Sequence, residues 1–319
     1  MKNHAMCRAV LLVLICCFSS ILRAAEPAGG TAQKLFCWKV TGSQGVVYLF
    51  GTVHVGRADL YPLAPIIETS FKQADTLITE ADLIEPQDTS RVLKLLLQKG
   101  VYPAGDTVEN HIGQETRAHL LPYVAKSKEL ASDYARLKPW FLTVSIAVIE
   151  AKRMGFDMSE GLDRHFVDKA TEMHKPIATL ETTEFQLDLI SSFPEELQDR
   201  LLLSSLLDAV HKSDGMDRML QAWKSGDADE MEKAKLHYVR ENPSLKPVFE
   251  KMFDQRNDGM TRQIEQFLQT PKTYFVAVGA GHLTGERGIL SQLRGKNYDV
   301  EQLRDGAMQR AERSDHRTN

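Results

Sequence analysis

Val46-Val-Tyr-Leu-Phe-Gly51-Thr-Val-His54 decides the fold once it is set beside Tyr274-Phe-Val-Ala-Val-Gly279-Ala-Gly-His282. Each is a short apolar run, rich in β-branched and aromatic residues, that ends in Gly-x-x-His. Such a run reads as a buried strand followed at once by a polar exit. Before the first, Phe36–Val40 alternates like a strand and reaches it through the hairpin-like Gly42-Ser-Gln-Gly45. After it, a helix opened by Pro62, with Leu63, Ile66, Ile67 and Phe71 at helical spacing, leads to the strand Thr76-Leu-Ile-Thr79, a βαβ-type unit. Helical patterns follow at Arg91–Gln98, about Gln114–Ser127, Trp140–Met154 after Pro139, and Leu162-Phe166-Ala170, before the strand-like Pro176–Leu180. Residues 184–269 carry only helical patterns, with a cap at Asp227 three residues before Glu230. Thr273–Val278 is a buried strand and Tyr298–Leu303 a last edge strand. The expectation is an α/β fold: a central mixed sheet with βαβ-type units, and a large helical insertion at about 185–270 that covers the site.

The 319 residues have 43% hydrophobic and 26% charged content, ordinary for a globular chain. A net charge of −4 without a Lys/Arg-rich run excludes an electrostatic case for nucleic acid. Residues 1–25 read as a secretory signal: Lys2 and Arg8 precede the apolar run Ala9–Phe18, and small residues close it at Ala24-Ala25. The expectation is secretion across the inner membrane into the periplasm, with no transmembrane segment once the signal is removed. Loss of the three cations Lys2, Arg8 and Arg23 takes the net charge from −4 to −7. Cys7, Cys16 and Cys17 leave too, so Cys37 remains alone, a packed thiol within a strand pattern. Residues 26–304 are expected to form one domain, and 305–319 a disordered tail.

Glu80 and Glu181 each follow a strand, as the two histidines do. Ligand sites in α/β sheets lie beyond the carboxyl ends of the strands, so two imidazoles and two carboxylates converge if those strands are neighbours. That set suits a divalent transition metal. Each histidine taken singly also reads as a strand-end cap. A dinucleotide turn at Gly279–Gly285, with Glu301 about twenty residues on, is a rival with a displaced third glycine. There is no His-Glu-x-x-His, Cys-x-x-Cys, Gly-x-Ser-x-Gly or P-loop.

Tyr48-Leu-Phe-Gly-Thr-Val-His54-Val-Gly56, Glu80-Ala-Asp82, Lys138-Pro-Trp140, Gly161-Leu-Asp163, Leu180-Glu-Thr182, Arg256-Asn257 and Val278-Gly-Ala-Gly-His-Leu-Thr-Gly285 together resemble the TraB/GumN (PrgY) family over roughly 35–303. That family is related to the Tiki metalloproteases, and is taken to share its fold and paired Gly-x-x-His site with erythromycin-esterase-like enzymes and haem-binding ChaN-like proteins. The resemblance implies a metal-dependent hydrolase acting on peptide or amide bonds, with a peptide or small-molecule substrate. His54, Glu80 and His282 would hold the ion, Mn, Co or Zn being equally open, with His54 alternatively a base. Glu181 would be a fourth ligand, a general base or an orienting group for an imidazole. Arg256 and Asn257 would hold a substrate oxygen, or else form a salt bridge and a cap. Lys138-Pro-Trp140 and Asp163 read as architectural. The competing expectation is a non-catalytic protein that sequesters a peptide, or carries haem or metal, on the same histidines.

Overall fold

A computed structural model describes residues 33–82, 89–211 and 214–306. The leader 1–25 and residues 307–319 of the tail lie outside the described residues. Six strands form one sheet: β1 (Lys34–Thr41), β2 (Val46–Thr52), β3 (Thr76–Ala81), β4 (Ile177–Glu181), β5 (Thr273–Gly279) and β6 (Asp299–Arg304). Their order is β4-β3-β5-β2-β1-β6. The four strands from β4 to β2 run parallel, whereas β1 is antiparallel to both β2 and β6, so the sheet is mixed as the sequence indicates. Because β6 joins the far edge beside β1, with β2 and β1 between it and β5, the Gly279–Gly285 turn does not open a unit of two adjacent parallel strands, and the dinucleotide reading loses its context.

The helix after β2 spans Pro65–Gln73, not a segment opened by Pro62. A helix beginning at Pro62 would put Pro65 where the first backbone hydrogen bonds form, and proline has no N–H to give. Starting at Pro65 makes the missing donor one of those a helix leaves unpaired anyway. Helices Pro65–Gln73 and Leu162–Glu172 pack Phe71 and Phe166 against Phe275 of β5 and Phe50 of β2, with ring centroids 4.7–5.7 Å apart. These four rings are almost wholly buried, and each contributes on the order of 2–3 kcal/mol of transfer free energy. They fix how both helices lie on the parallel strands. Cys37 is buried in β1, where desolvation pushes its thiol upward, so it packs and does not react.

Between β4 and β5 the described chain is helical: Thr183–Ser191, Glu195–His211, Gly215–Ser225, Ala228–Lys235, His237–Glu241, Lys246–Phe249, a π-helical turn at Glu250–Asp254, and Gln255–Leu268. Asp227 caps the fourth of these, accepting from the N–H groups of Asp229 and Glu230 at 3.0 Å. Pro139 is the first residue of helix Pro139–Arg153 and Trp140 is buried behind it. Among the described residues no helix is long and apolar enough to cross a membrane.

Candidate functional site

Strands β2 and β5 lie side by side in parallel, pairing Gly51 with Val278 and Thr52 with Gly279. His54 and His282 therefore leave the sheet from adjacent strands at the same end, although they are 228 positions apart. β3, on the other side of β5, places Glu80 between them. Its Oε2 is 3.8 Å from Nε2 of His54, and its Oε1 is 3.6 Å from Nε2 of His282.

Each imidazole is oriented from behind. Asp163, in the first turn of helix Leu162–Glu172, accepts from Nδ1 of His54 at 2.8 Å and from the Thr52 hydroxyl at 2.8 Å. Asn257, in the first turn of helix Gln255–Leu268, donates its Nδ2 to the Arg287 carbonyl at 2.9 Å. That bond turns its Oδ1 toward Nδ1 of His282, at 2.6 Å. Nδ1 of His282 consequently carries the hydrogen, and its Nε2 presents a lone pair. This nitrogen is buried and has no hydrogen-bond partner.

The Glu80 carboxylate is held charged and still. Oε2 accepts from the Gly279 N–H at 2.9 Å; Oε1 accepts from Arg256 at 2.5 Å and from Gln186 at 3.0 Å. Burial opposes its charge, but the Arg256 cation, with the protonated His54 beside it, outweighs burial and holds the carboxyl well below the usual range. Gly279 is glycine for a spatial reason: a Cβ there would stand 3.0 Å from Oε2 of Glu80 and 3.4 Å from Nε2 of His54. The close approach that a strand-end glycine permits serves the protein's own carboxylate. The two imidazoles diverge electrostatically. Burial would lower His54, yet the charge and hydrogen bond of Asp163, with Glu80 behind, raise it to about 9. Burial and the Arg256 cation push His282 down to about 4.

Glu181, for which three roles were open, faces neither imidazole. It accepts from Arg256 at 2.7–3.2 Å and from Gln186 at 3.3 Å. Arg256 also donates to the Met252 carbonyl at 3.0 Å, so nearly all its donors are engaged within the protein and it holds carboxylates in place of a substrate oxygen. Asn257 is likewise occupied, as the orienting partner of His282. Asp163, read as architectural, stands directly against His54. Gln186 carried no signal in the sequence, because only the helix that follows β4 turns it back onto Glu80 and Glu181.

The sequence model of the TraB/PrgY/gumN family matches residues 36–302. The chain belongs to this family. Among curated relatives of this TraB/PrgY/gumN member, the uncharacterized protein YbaP of Escherichia coli K12 is 25% identical over 248 residues, covering 77% of this chain and 87% of YbaP. The metalloprotease TIKI homolog of Amphimedon queenslandica is 24% identical, over 92% of this chain and 67% of that protein. Metalloprotease TIKI1 of Danio rerio is 23% identical, over 80% of this chain and 60% of its own length. No solved structure matches the chain.

Among the described residues of this TraB/PrgY/gumN chain, no three His, Cys, Asp or Glu side chains stand together as a formed metal cage. The reason is local: Glu80 is turned to Arg256, Gln186 and the Gly279 amide. The donor chemistry nevertheless fits a cation. Two inward Nε2 atoms flank one carboxylate at 3.6 and 3.8 Å, and one of them is a buried, unpartnered lone pair. An ion on Nε2 would displace the His54 proton, and the carboxylates Glu80, Glu181 and Asp163 against the single guanidinium Arg256 would then leave two negative charges for a divalent ion to balance.

Proposed function

We propose that this protein is a metal-dependent hydrolase of peptide or amide bonds, with its reacting centre at His54, Glu80 and His282. One observation carries the reading: two oriented imidazoles aim Nε2 at a single buried carboxylate across a gap that no hydrogen bond fills. The TIKI relatives, named metalloproteases, support it. His54, His282 and Glu80 would hold a divalent transition ion, which when bound polarises a carbonyl and acidifies a water. The chain's own residues prepare that centre. Asp163 and Asn257 keep the hydrogens on the Nδ1 atoms, so that both Nε2 atoms face inward. Arg256 and Gln186 tie Glu80 to Glu181 and keep Glu80 ionised. His54, whose side chain is 14% exposed against none for His282, is the imidazole a substrate meets first. Where it serves as base in place of ligand, it can hold or release a proton at Nε2 while Asp163 stabilises its cation. On this reading the protein is exported to the periplasm, with 26–304 as one domain; the leader-like pattern of residues 1–25 supports export. A haem carrier is disfavoured by the complete burial of His282.

The test is metal analysis of the purified protein, followed by a peptide library with and without Mn, Co or Zn. His54→Ala and His282→Ala should each lose metal and slow hydrolysis by about 10²–10⁴-fold or more. Glu181→Gln should keep its metal, because Glu181 touches Arg256 and not an imidazole. Tight peptide binding without cleavage, whichever ion is supplied, would replace the hydrolase with the sequestering reading.

A further inference from the structure

Beside the histidines lies a cavity of about 190 Å³. One wall is built from the residues that flank them in sequence: Val53 precedes His54, Ala280 and Gly281 precede His282, and the Phe253 ring packs 5.2 Å from that of His282. The opposite walls come from helices Pro139–Arg153 and Glu195–His211, through Val144, Ala147 and Leu201, and from the stretch around Val248 and Met252. Thr143, Leu201, Ser204, Tyr238, Phe249 and Gly281 are half-buried, whereas Phe253 and Ala280 are buried. The cavity therefore joins the helices to the residues immediately before both histidines. None of His54, Glu80 and His282 lines it.

The lining sets what can enter. Lys235 is 7% exposed, and its ammonium is already committed to Glu232 at 2.6 Å, to the Gly281 carbonyl at 3.1 Å and to the face of Phe253 at 4.9 Å. It leaves its methylenes to the wall. Asp208 is the other charged member, and aliphatic, methionine and aromatic side chains make up most of the rest. A dry cavity of about 150 Å³ with such walls holds a benzene ring, so this one has room for a single aromatic or leucine-sized side chain and far too little for a tetrapyrrole.

We propose that this cavity is the specificity pocket of the hydrolytic site, taking one large apolar side chain, aromatic or leucine-like, from the residue beside the bond to be cleaved. The proposal rests on the hydrolase reading for its meaning, and the experiment separates the two. Ala147, 3% exposed on the cavity wall, is replaced by leucine, which fills the space and should leave the thermal midpoint unchanged or raised. Toluene, the phenylalanine side chain without its backbone, is titrated by NMR into the wild type, Ala147→Leu and His54→Ala. In parallel, peptides differing only in one residue, Phe, Leu, Ala, Lys or Glu beside the bond, are assayed for cleavage. Toluene should bind the wild type and His54→Ala alike, and bind Ala147→Leu at least tenfold more weakly. The Phe and Leu peptides should be preferred by the wild type and lose roughly 10–100-fold in kcat/KM in Ala147→Leu, while the Ala peptide keeps its rate. Equal toluene binding by Ala147→Leu, no toluene binding at all, or a preference for Lys or Glu would overturn the pocket while leaving hydrolysis standing. Toluene binding that Ala147→Leu removes, in a protein that cleaves no peptide, would uphold the apolar pocket and remove the hydrolase instead.

Discussion

At the residue scale, the site is a contest over one proton. Asp163 accepts from Nδ1 of His54 in either protonation state, but its negative charge and its hydrogen bond favour the imidazolium, which is why burial fails to lower it and it rises to about 9 from an ordinary 6.5. The folded protein then keeps a proton that the unfolded chain releases from about pH 6.5 upward. The stabilisation is fully present below that value and disappears as the pH rises through 9, a difference on the order of 3 kcal/mol across the window. In chelator-treated protein, the His54 imidazole followed by NMR should titrate near 9 in the wild type and at or below its ordinary value in Asp163→Asn. Urea unfolding of the wild type should weaken between pH 6.5 and 9 more than that of Asp163→Asn. Parallel pH profiles for the two proteins would remove Asp163 from this role. None of this was legible in the sequence, where Asp163 read as part of the architecture: its aspartate side chain lies 109 positions from His54, and only the fold makes them neighbours.

At the element scale, the start of helix Leu162–Glu172 is laced to the exit of β2. Leu162 N–H donates to the Val53 carbonyl at 3.1 Å, and Gly56 exchanges two backbone hydrogen bonds with Asp157 at 2.8–2.9 Å. Gly161 sits at the crossing, where a Cβ would fall 2.3 Å from the His54 carbonyl oxygen. Since that neighbour is backbone and cannot swing aside, Gly161→Ala must lift the helix start and carry Asp163 away from His54. The expected result is a fall in the His54 titration midpoint comparable to that of Asp163→Asn although Asp163 is intact, with a stability loss of roughly 1–3 kcal/mol. An unshifted midpoint would mean that Asp163 is positioned by its own helix alone. The sequence showed this helix and the strands because their apolar periodicities are strong. It misplaced the helix start at Pro62 because two prolines three apart both satisfy the start rule, and only the missing N–H of Pro65 separates them. The chain also reuses one element twice: consecutive residues of helix Gln255–Leu268 project about 100° apart, so Arg256 reaches the carboxylates while Asn257 reaches His282.

At the scale of the whole molecule, the β2–β5 seam joins β6, β1 and β2 to β5, β3 and β4. His54 belongs to one side of that seam, and His282 and Glu80 to the other. The internal echo of Gly-x-x-His made this convergence readable, because both copies end parallel strands and such ends collect ligands. What the echo could not show was the assignment of roles. Whether a strand-end glutamate meets an imidazole or an arginine depends on Arg256, which arrives from a helix 75 positions after Glu181. Bridging the seam makes the site a clasp, and a ligand held there should stabilise the fold as a unit. With an ion at about 100 times its dissociation constant the gain is about 2.7 kcal/mol, and for a chain of this size each kcal/mol moves the midpoint by about 2 °C. Calorimetry of chelator-treated protein should therefore show one transition that rises by roughly 5 °C when Mn, Co or Zn is restored. His282→Ala should still unfold in one transition but gain nothing from the ion, because the unpartnered Nε2 that receives it is gone. A rise of equal size in His282→Ala would place the ion elsewhere, and two separate transitions in the wild type would divide residues 26–304 into independently folding parts.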